Sequence, residues 1–448
     1  MYQRPAAVPG ATGDKQAGKV PVKVARRHRW AWAAATVWTN RMLAALEYGV
    51  QGGVWFSLID KVYSRKNLWA SWCKTAANKG SPGVDGITIE RYQKDVESNV
   101  ERLSGRLRDG TYQPKAIRRT YIPKADGKKR PLGIPTVEDR IVQGAIRHAI
   151  EPIFEKQFAP QSYGFRPGKG CKDALRRVEE LLKSGYRYVV DADLKSYFDT
   201  IPHEQLMELL RTQIADGRVL ELIAAFLQAK IMEDLQEWTP AAGAPQGAVL
   251  SPLMSNIYLN PLDHLMARQG FQMVRYADDF VILCASKEQA ERALSTVQAW
   301  VQEAGLTLHP DKTRIADAVT DRFEFLGYRF DKGRRWPRDK SKKKLRDAIR
   351  VKTRRTAGVS LTTIIQRINP TLRGWYGYFK HADHRAMRDV DQWIRMRLRS
   401  ILRKRRNGRG RGRGRDHQRW PNAYFAQAGL FSLEVAHHLA CRSVKTAH

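Results

Sequence analysis

The sequence predicts an α+β chain in which strands and helices alternate first and a helical, strongly basic part follows. Three observations carry this. Short β-branched and aromatic runs, YRYVVDADL and FQMVRYADDFVILCAS, have the length of strands and end or turn in acids. Between such runs lie longer segments with helical spacing, clearest where Ile141, Ala145, Ile146, Ala149, Ile150 and Ile153 mark one apolar face. Residues from about 340 to 406 keep a helical pattern while gathering lysine and arginine.

A chain of 448 residues has room for two or three adjoining domains. Its 79 lysines and arginines against 45 acids give a formal charge of +34, and a polyanionic partner is the simplest counterpart. Charge alone fits a nucleic-acid-binding protein without chemistry, or a face for acidic membranes, as well as an enzyme. It fixes the partner and leaves the activity open. Cys73, Cys171, Cys284 and Cys441 are far apart, with no C-x-x-C pair, and read as reduced thiols of a cytosolic protein. No run of about 18 apolar residues occurs and MYQRPAAVPG lacks a signal-like apolar stretch, so a cytoplasmic protein without a membrane partner is expected.

Along the chain, residues 1–35 read as a flexible basic arm, too poor in large apolar residues to offset ordering entropy. Residues 36–86 read as a helical extension ending in the turn-rich NKGSPGVDG. RRTYIPKADGKKRPLGIP predicts a cationic two-stranded ribbon turning at Ala125 to Gly127, and Thr136 can cap the helix after it. Ser251 and Pro252 mark a helix start, a helix from Glu288 to Ala304 stops at Gly305, and LTLHPDK and FEFLGYRF read as short strands. The charge run DKGRRWPRDKSKKK looks like a domain boundary, and NGRGRGRGRDHQRW like a low-complexity linker.

The chemistry is concentrated in DADLKSYFD, Asp191 to Asp199, and YADD, Tyr276 to Asp279. Nucleotidyl transfer needs two magnesium ions, one at the primer 3′ hydroxyl and one on the triphosphate, and these call for hard carboxylate ligands. An acid ending one strand and adjacent acids in a neighbouring hairpin supply them from a rigid sheet. Either motif alone is ordinary turn chemistry, because hairpin turns favour Asp on backbone grounds.

Taken in order, RRTYIPKADGKKRPLGIP, SYGFRPGKG, DADLKSYFD, GAPQGAVLSPLMSNIYL, YADD, LTLHPDK and FEFLGYRF resemble the blocks of group II intron reverse transcriptases, from roughly Trp38 onward. The resemblance implies a right-hand polymerase fold. Fingers would span 87–185, a palm of antiparallel sheet and helices 186–335, and an α-helical thumb, the maturase domain X, 336–406. An Arg/Gly linker with a DNA-binding tail would occupy 407–448. It further implies that Asp193, Asp278 and Asp279 bind two Mg2+ ions, with Asp191 and Asp199 set aside. Phe198 would pack under the incoming sugar and exclude a 2′ hydroxyl. Lys124 and Arg130 would grip the triphosphate, and Gln246 would lie beside the nucleotide. Arg166, Trp375 and Tyr376 would contact nucleic acid.

The implied function is an RNA-directed DNA polymerase that assists splicing of its group II intron RNA and copies RNA during target-primed retrohoming. Its partners would be intron RNA, target DNA, an RNA template with primer, and dNTPs, in a bacterial ribonucleoprotein. No H-N-H endonuclease is expected, since paired cysteines and histidines at ligand spacing are missing. Two alternatives stand beside this reading: a splicing-only maturase, and a free-standing reverse transcriptase of retron or defence type.

Overall fold

The computed structural model describes residues 29–50, 52–123, 129–234, 236–356, 358–412 and 414–445, with side chains to 441. Three sheets organise them. In the first, β1 (Ile117–Pro123) pairs antiparallel with β2 (Lys129–Ile134). The same sheet continues through β4 (Ile231–Glu233), parallel to β1, and β5 (Gln236–Trp238). In the second, β6 (Gln272–Tyr276), β7 (Asp279–Cys284), β3 (Tyr188–Asp193) and β8 (Arg314–Asp317) lie in that order, all antiparallel. The third orders β11 (Arg334–Pro337), β10 (Tyr328–Asp331) and β9 (Arg322–Phe325), also antiparallel.

The second sheet is covered on both faces, which explains its near-continuous apolar strands. Side chains alternate along a strand, so Val190, Ala192, Phe280 and Ile282 enter one core and Val189, Val281 and Leu283 another. The first core reaches back to Trp30 and Trp38 and is built on the helix Val137–Glu155. All six apolar residues of its expected stripe are buried, and the Thr136 hydroxyl caps it by accepting the Asp139 N–H. The second core joins the sheet to the helices Cys171–Lys183, Asp339–Lys352, Leu361–Phe379 and His384–Arg405.

Several expectations need correction. Of the proposed arm, residues 1–28 lie outside the described residues, but Trp30 is fully buried and its indole N–H donates to Glu47 at 2.7 Å. Residues 36–86 do carry helices, and one of them, Arg65–Ala77, packs on Val137–Glu155 in the first core. The charge run from Asp331 is itself structured: its backbone pairs as β11 and continues into Asp339–Lys352. LTLHPDK contributes only a bridge, Leu308 to Leu194, instead of a strand. Ser251 lies inside its helix, and its hydroxyl donates to the Pro245 carbonyl.

The Arg/Gly segment folds back. A Cβ on Gly412 would sit 2.7 Å from Arg399 Cβ, and the Gly412 N–H donates to Ser400. Glycine here permits close approach of backbone to helix. Beyond it, Trp420, Phe425 and Leu433 are buried in the same core as the thumb helices. Among the described residues no helix is long and apolar enough to cross a membrane.

Candidate active site

β3 and β7 bring the two acidic motifs together. Their register sets Asp193 directly opposite Asp279, and Asp191 opposite Val281. Because alternate residues share a face, Asp191, Asp193 and Asp279 lie on one side of the sheet. Asp278 stands in the tight turn between β6 and β7, where Ala277 adopts a left-handed φ of 60°.

Burial and neighbouring negative charge raise the pKa values of Asp191, Asp278 and Asp279. Burial, then the charges of Asp191, Asp278 and Asp193, push Asp279 up to about 7, against the Leu326 N–H that favours the carboxylate. Asp191 is pushed up to about 6, chiefly by burial, with Arg314 opposing and Asp193 adding. Asp278 is also raised, by burial and by Asp193, while Arg130 and Arg275 pull the other way.

A buried frame holds the turn. Arg275 is fully buried and forms a two-pronged pair with Asp263, at 2.8 and 2.5 Å. Its Nη1 donates to Asn256 and to the Ala277 carbonyl at 2.9 Å. From the other side comes the loop SYGFRPGKG: a Cβ on Gly164 would sit 2.3 Å from the Ala277 nitrogen. Only glycine fits that contact. Asn256 ties the same loop down by donating to the Gly164 carbonyl at 2.8 Å.

Arg166, expected at nucleic acid, is instead part of this frame. Its guanidinium donates to Glu155 and to the carbonyls of Ala159 and Ser162, and the residue is only 8% exposed. Trp375 and Tyr376 are likewise turned inward. Trp375 meets Phe379 with ring centroids 4.8 Å apart and Tyr376 meets Phe431 edge-on at 5.8 Å. Both rings are half-buried, and their polar atoms are buried without partners among the described residues.

The expected nucleotide residues come together above the sheet. Arg130 of β2 donates to Gln246 at 2.7 Å, and Gln246 reaches Asp199 at 3.4 Å. The turn carrying Gln246 is pinned to the ribbon, since Gly247 has a φ of 105° and a Cβ there would sit 2.5 Å from the Gly133 carbonyl. Phe198 is 9% exposed, against Tyr197 on one side, and lines a cleft with Arg119, Trp238 and Gly243. Lys124 lies outside the described residues.

Sequence reasoning missed Lys312, whose ammonium is seated on Asp193 at 2.5 Å. It also missed Arg275, although an arginine inside the apolar run FQMVRYADD was a legible sign. Among the described residues no three carboxylate, histidine or cysteine side chains are gathered closely enough to hold an ion as they stand. The donor set nevertheless suits a hard divalent cation: oxygens only, from β3 and the β6–β7 hairpin, with Asp191, Asp193 and Asp278 all raising the Asp279 pKa.

Acids on a two-sided antiparallel sheet, a cationic ribbon facing them and a helical thumb behind define a right-hand polymerase with palm, fingers and thumb. Known proteins with related sequences narrow this. Residues 122–330 match the family described as reverse transcriptase (RNA-dependent DNA polymerase), and residues 342–420 the group II intron maturase-specific domain. The chain belongs to the family of group II intron-encoded reverse transcriptases and maturases. It is 37% identical to protein YkfC of Escherichia coli strain K12, over 57% of this chain and 77% of that one. It is 40% identical to the group II intron-encoded protein LtrA of Lactococcus lactis subsp. cremoris, over 44% of this chain but only 32% of LtrA. The solved telomerase from Candida albicans resembles it at a TM-score of 0.40 and 13% identity, over 70% of this chain and 64% of that one.

Proposed function

We propose that this chain synthesises DNA on an RNA template by a two-metal mechanism, with Asp193, Asp278 and Asp279 as the metal-binding acids. The observation that carries the reading is the pairing of Asp193 with Asp279 across β3 and β7. With Asp278 in the adjoining turn, it makes a cluster of half-buried acids with oxygen donors suited to a divalent cation. Magnesium bound there supplies Lewis acidity toward the primer 3′ hydroxyl and the triphosphate. The protein's own groups do the rest. Arg130 and Gln246, already hydrogen-bonded to each other, orient the triphosphate and base, with Lys124 as a further cation. Phe198 fills the space a 2′ hydroxyl would occupy. The Arg275 and Gly164 frame holds the acidic turn in place.

The maturase-specific domain supports binding of group II intron RNA and assistance in its splicing. Copying of that RNA at a target DNA during retrohoming, inside a bacterial ribonucleoprotein, completes the proposal. The test is extension of a DNA primer annealed to RNA, with dNTPs, as Mg2+ is titrated. Extension dependent on the ion and on the RNA template is expected. Its absence at every Mg2+ concentration, from a protein that still binds the template, would leave a splicing maturase.

A further inference from the structure

Away from the polymerase site, one aromatic of the thumb is ringed by cations. Trp393, on the helix His384–Arg405, is half-buried and has three guanidinium groups around one indole. Arg346 lies 5.8 Å from its ring centroid, Arg350 5.9 Å and Arg397 5.4 Å. Arg346 and Arg350 are one turn apart on Asp339–Lys352, and Trp393 and Arg397 one turn apart on their own helix, so matching rungs of two helices meet.

Three like charges at one ring repel each other, and the chain does little to neutralise them. Among the described residues Arg346 makes no hydrogen bond or ion pair, and Arg350 pairs only with Asp347 in its own helix. Arg397 pairs with no acid. It is fixed instead by the buried Thr353, to whose hydroxyl and carbonyl it donates at 2.9 and 3.0 Å, leaving Nη1 without a partner. The two helices carry seven and eight lysines and arginines against two acids each. Burial, and after it the neighbouring charges of Arg350 and Arg355, lowers the Arg397 pKa. Planar forks held on an aromatic face are preorganised for multidentate contact with phosphate oxygens.

We propose that Trp393 with Arg346, Arg350 and Arg397 forms a seat on the thumb for RNA backbone phosphates. This rests on reading the chain as an RNA-binding reverse transcriptase and maturase, and it names where that binding occurs. Both a folded RNA and the template–primer duplex offer such phosphates, and the test separates them.

The probes are a 20-base-pair RNA hairpin and a short RNA–DNA primer–template, titrated against salt with wild type and the double variant Arg346→Gln, Arg350→Gln. Glutamine keeps the aliphatic stems on the indole and removes the charge. Each phosphate contact adds about 0.7 to 0.9 to the slope of log affinity on log salt, so losing two flattens it by about 1.5. An affinity loss of about tenfold or more at low salt accompanies this, with maximal extension rate at saturating primer–template unchanged. Loss for the hairpin alone assigns the seat to folded RNA, and loss for both probes to duplex backbone in general. Arg346→Lys, Arg350→Lys restores the slope but only part of the affinity, since a point charge replaces the fork. Unchanged slopes for both probes, from a protein with wild-type circular dichroism, overturn the proposal. A wild type that extends no primer but whose double variant still flattens the slope would sink the polymerase reading and leave this one standing.

Discussion

Replacing Asp279 by Asn should stabilise the metal-free protein while abolishing DNA synthesis. In the folded chain the Asp279 carboxyl titrates near 7 instead of its ordinary 3.8. Between those values the folded state keeps a proton that the unfolded state has lost, so stability falls as pH rises and the loss is complete above about 7. At about 1.4 kcal/mol per pKa unit, holding this carboxylate ionised at pH 8 costs the fold roughly 4 kcal/mol. Asparagine removes that cost and still accepts the Leu326 N–H. The assay is urea unfolding in EDTA, followed by tryptophan fluorescence. The variant should unfold at higher urea than wild type at pH 8, with the gap shrinking to under about half at pH 5. Added Mg2+ should stabilise wild type more than the variant, because an ion bound only by the native state adds to its stability. A variant weaker than wild type at pH 8, or a gap independent of pH, would refute the reasoning.

Further outcomes follow from the same frame. Phe198→Ala should extend primers with ribonucleotides, lowering the ratio of deoxy to ribo kcat/KM by about tenfold or more; an active variant as selective as wild type puts the gate at another residue. Gly164→Ala, whose added Cβ meets the Ala277 nitrogen at 2.3 Å, should lower kcat with little change in template affinity and cost about 1 to 3 kcal/mol of stability. Wild-type kcat in that variant would show that the loop does not set the turn. Arg275→Met should cost about 3 to 5 kcal/mol, because Asp263 is left buried and unpaired. The double variant with Asp263→Leu should regain stability but not kcat, since the Ala277 carbonyl still lacks its donor; recovery of both would reduce Arg275 to a packing role.

Much of this fold was legible because its signals are local. Thr136 capping, the six-residue stripe behind it and the strands around YADD each depend on a few neighbouring residues. The acids were legible for the same reason, since a strand ending at Asp193 and a hairpin at Asp279 need only pair in register. What was hidden is direction and partnership. Arg166, Trp375 and Tyr376 have the residue types of RNA contacts, yet Arg166 turns back onto Glu155 and the carbonyls of Ala159 and Ser162, Trp375 packs on Phe379 of its own helix, and Tyr376 meets Phe431 from the distant tail. The Arg/Gly segment reads as a linker by composition, but its glycines are there so that it can lie on Arg399 and Arg403. The thumb looked separable at a run of charge, whereas Val189, Val281 and Leu283 of the palm are buried with thumb residues in one core. A chain cut near Asp331 would therefore expose one face of the palm sheet as well as remove RNA-binding surface.

The central claim, that the carboxylates of β3 and the β6–β7 hairpin carry out the chemistry, is tested most directly with Asp278→Ala. Single-nucleotide incorporation is measured at saturating Mg2+ on an RNA template, with template affinity determined on the same preparation. The account predicts a fall in rate of at least about a thousandfold, on the scale of losing a main source of transition-state charge stabilisation, with affinity unchanged. Incorporation within a few-fold of wild type at unchanged affinity would contradict it.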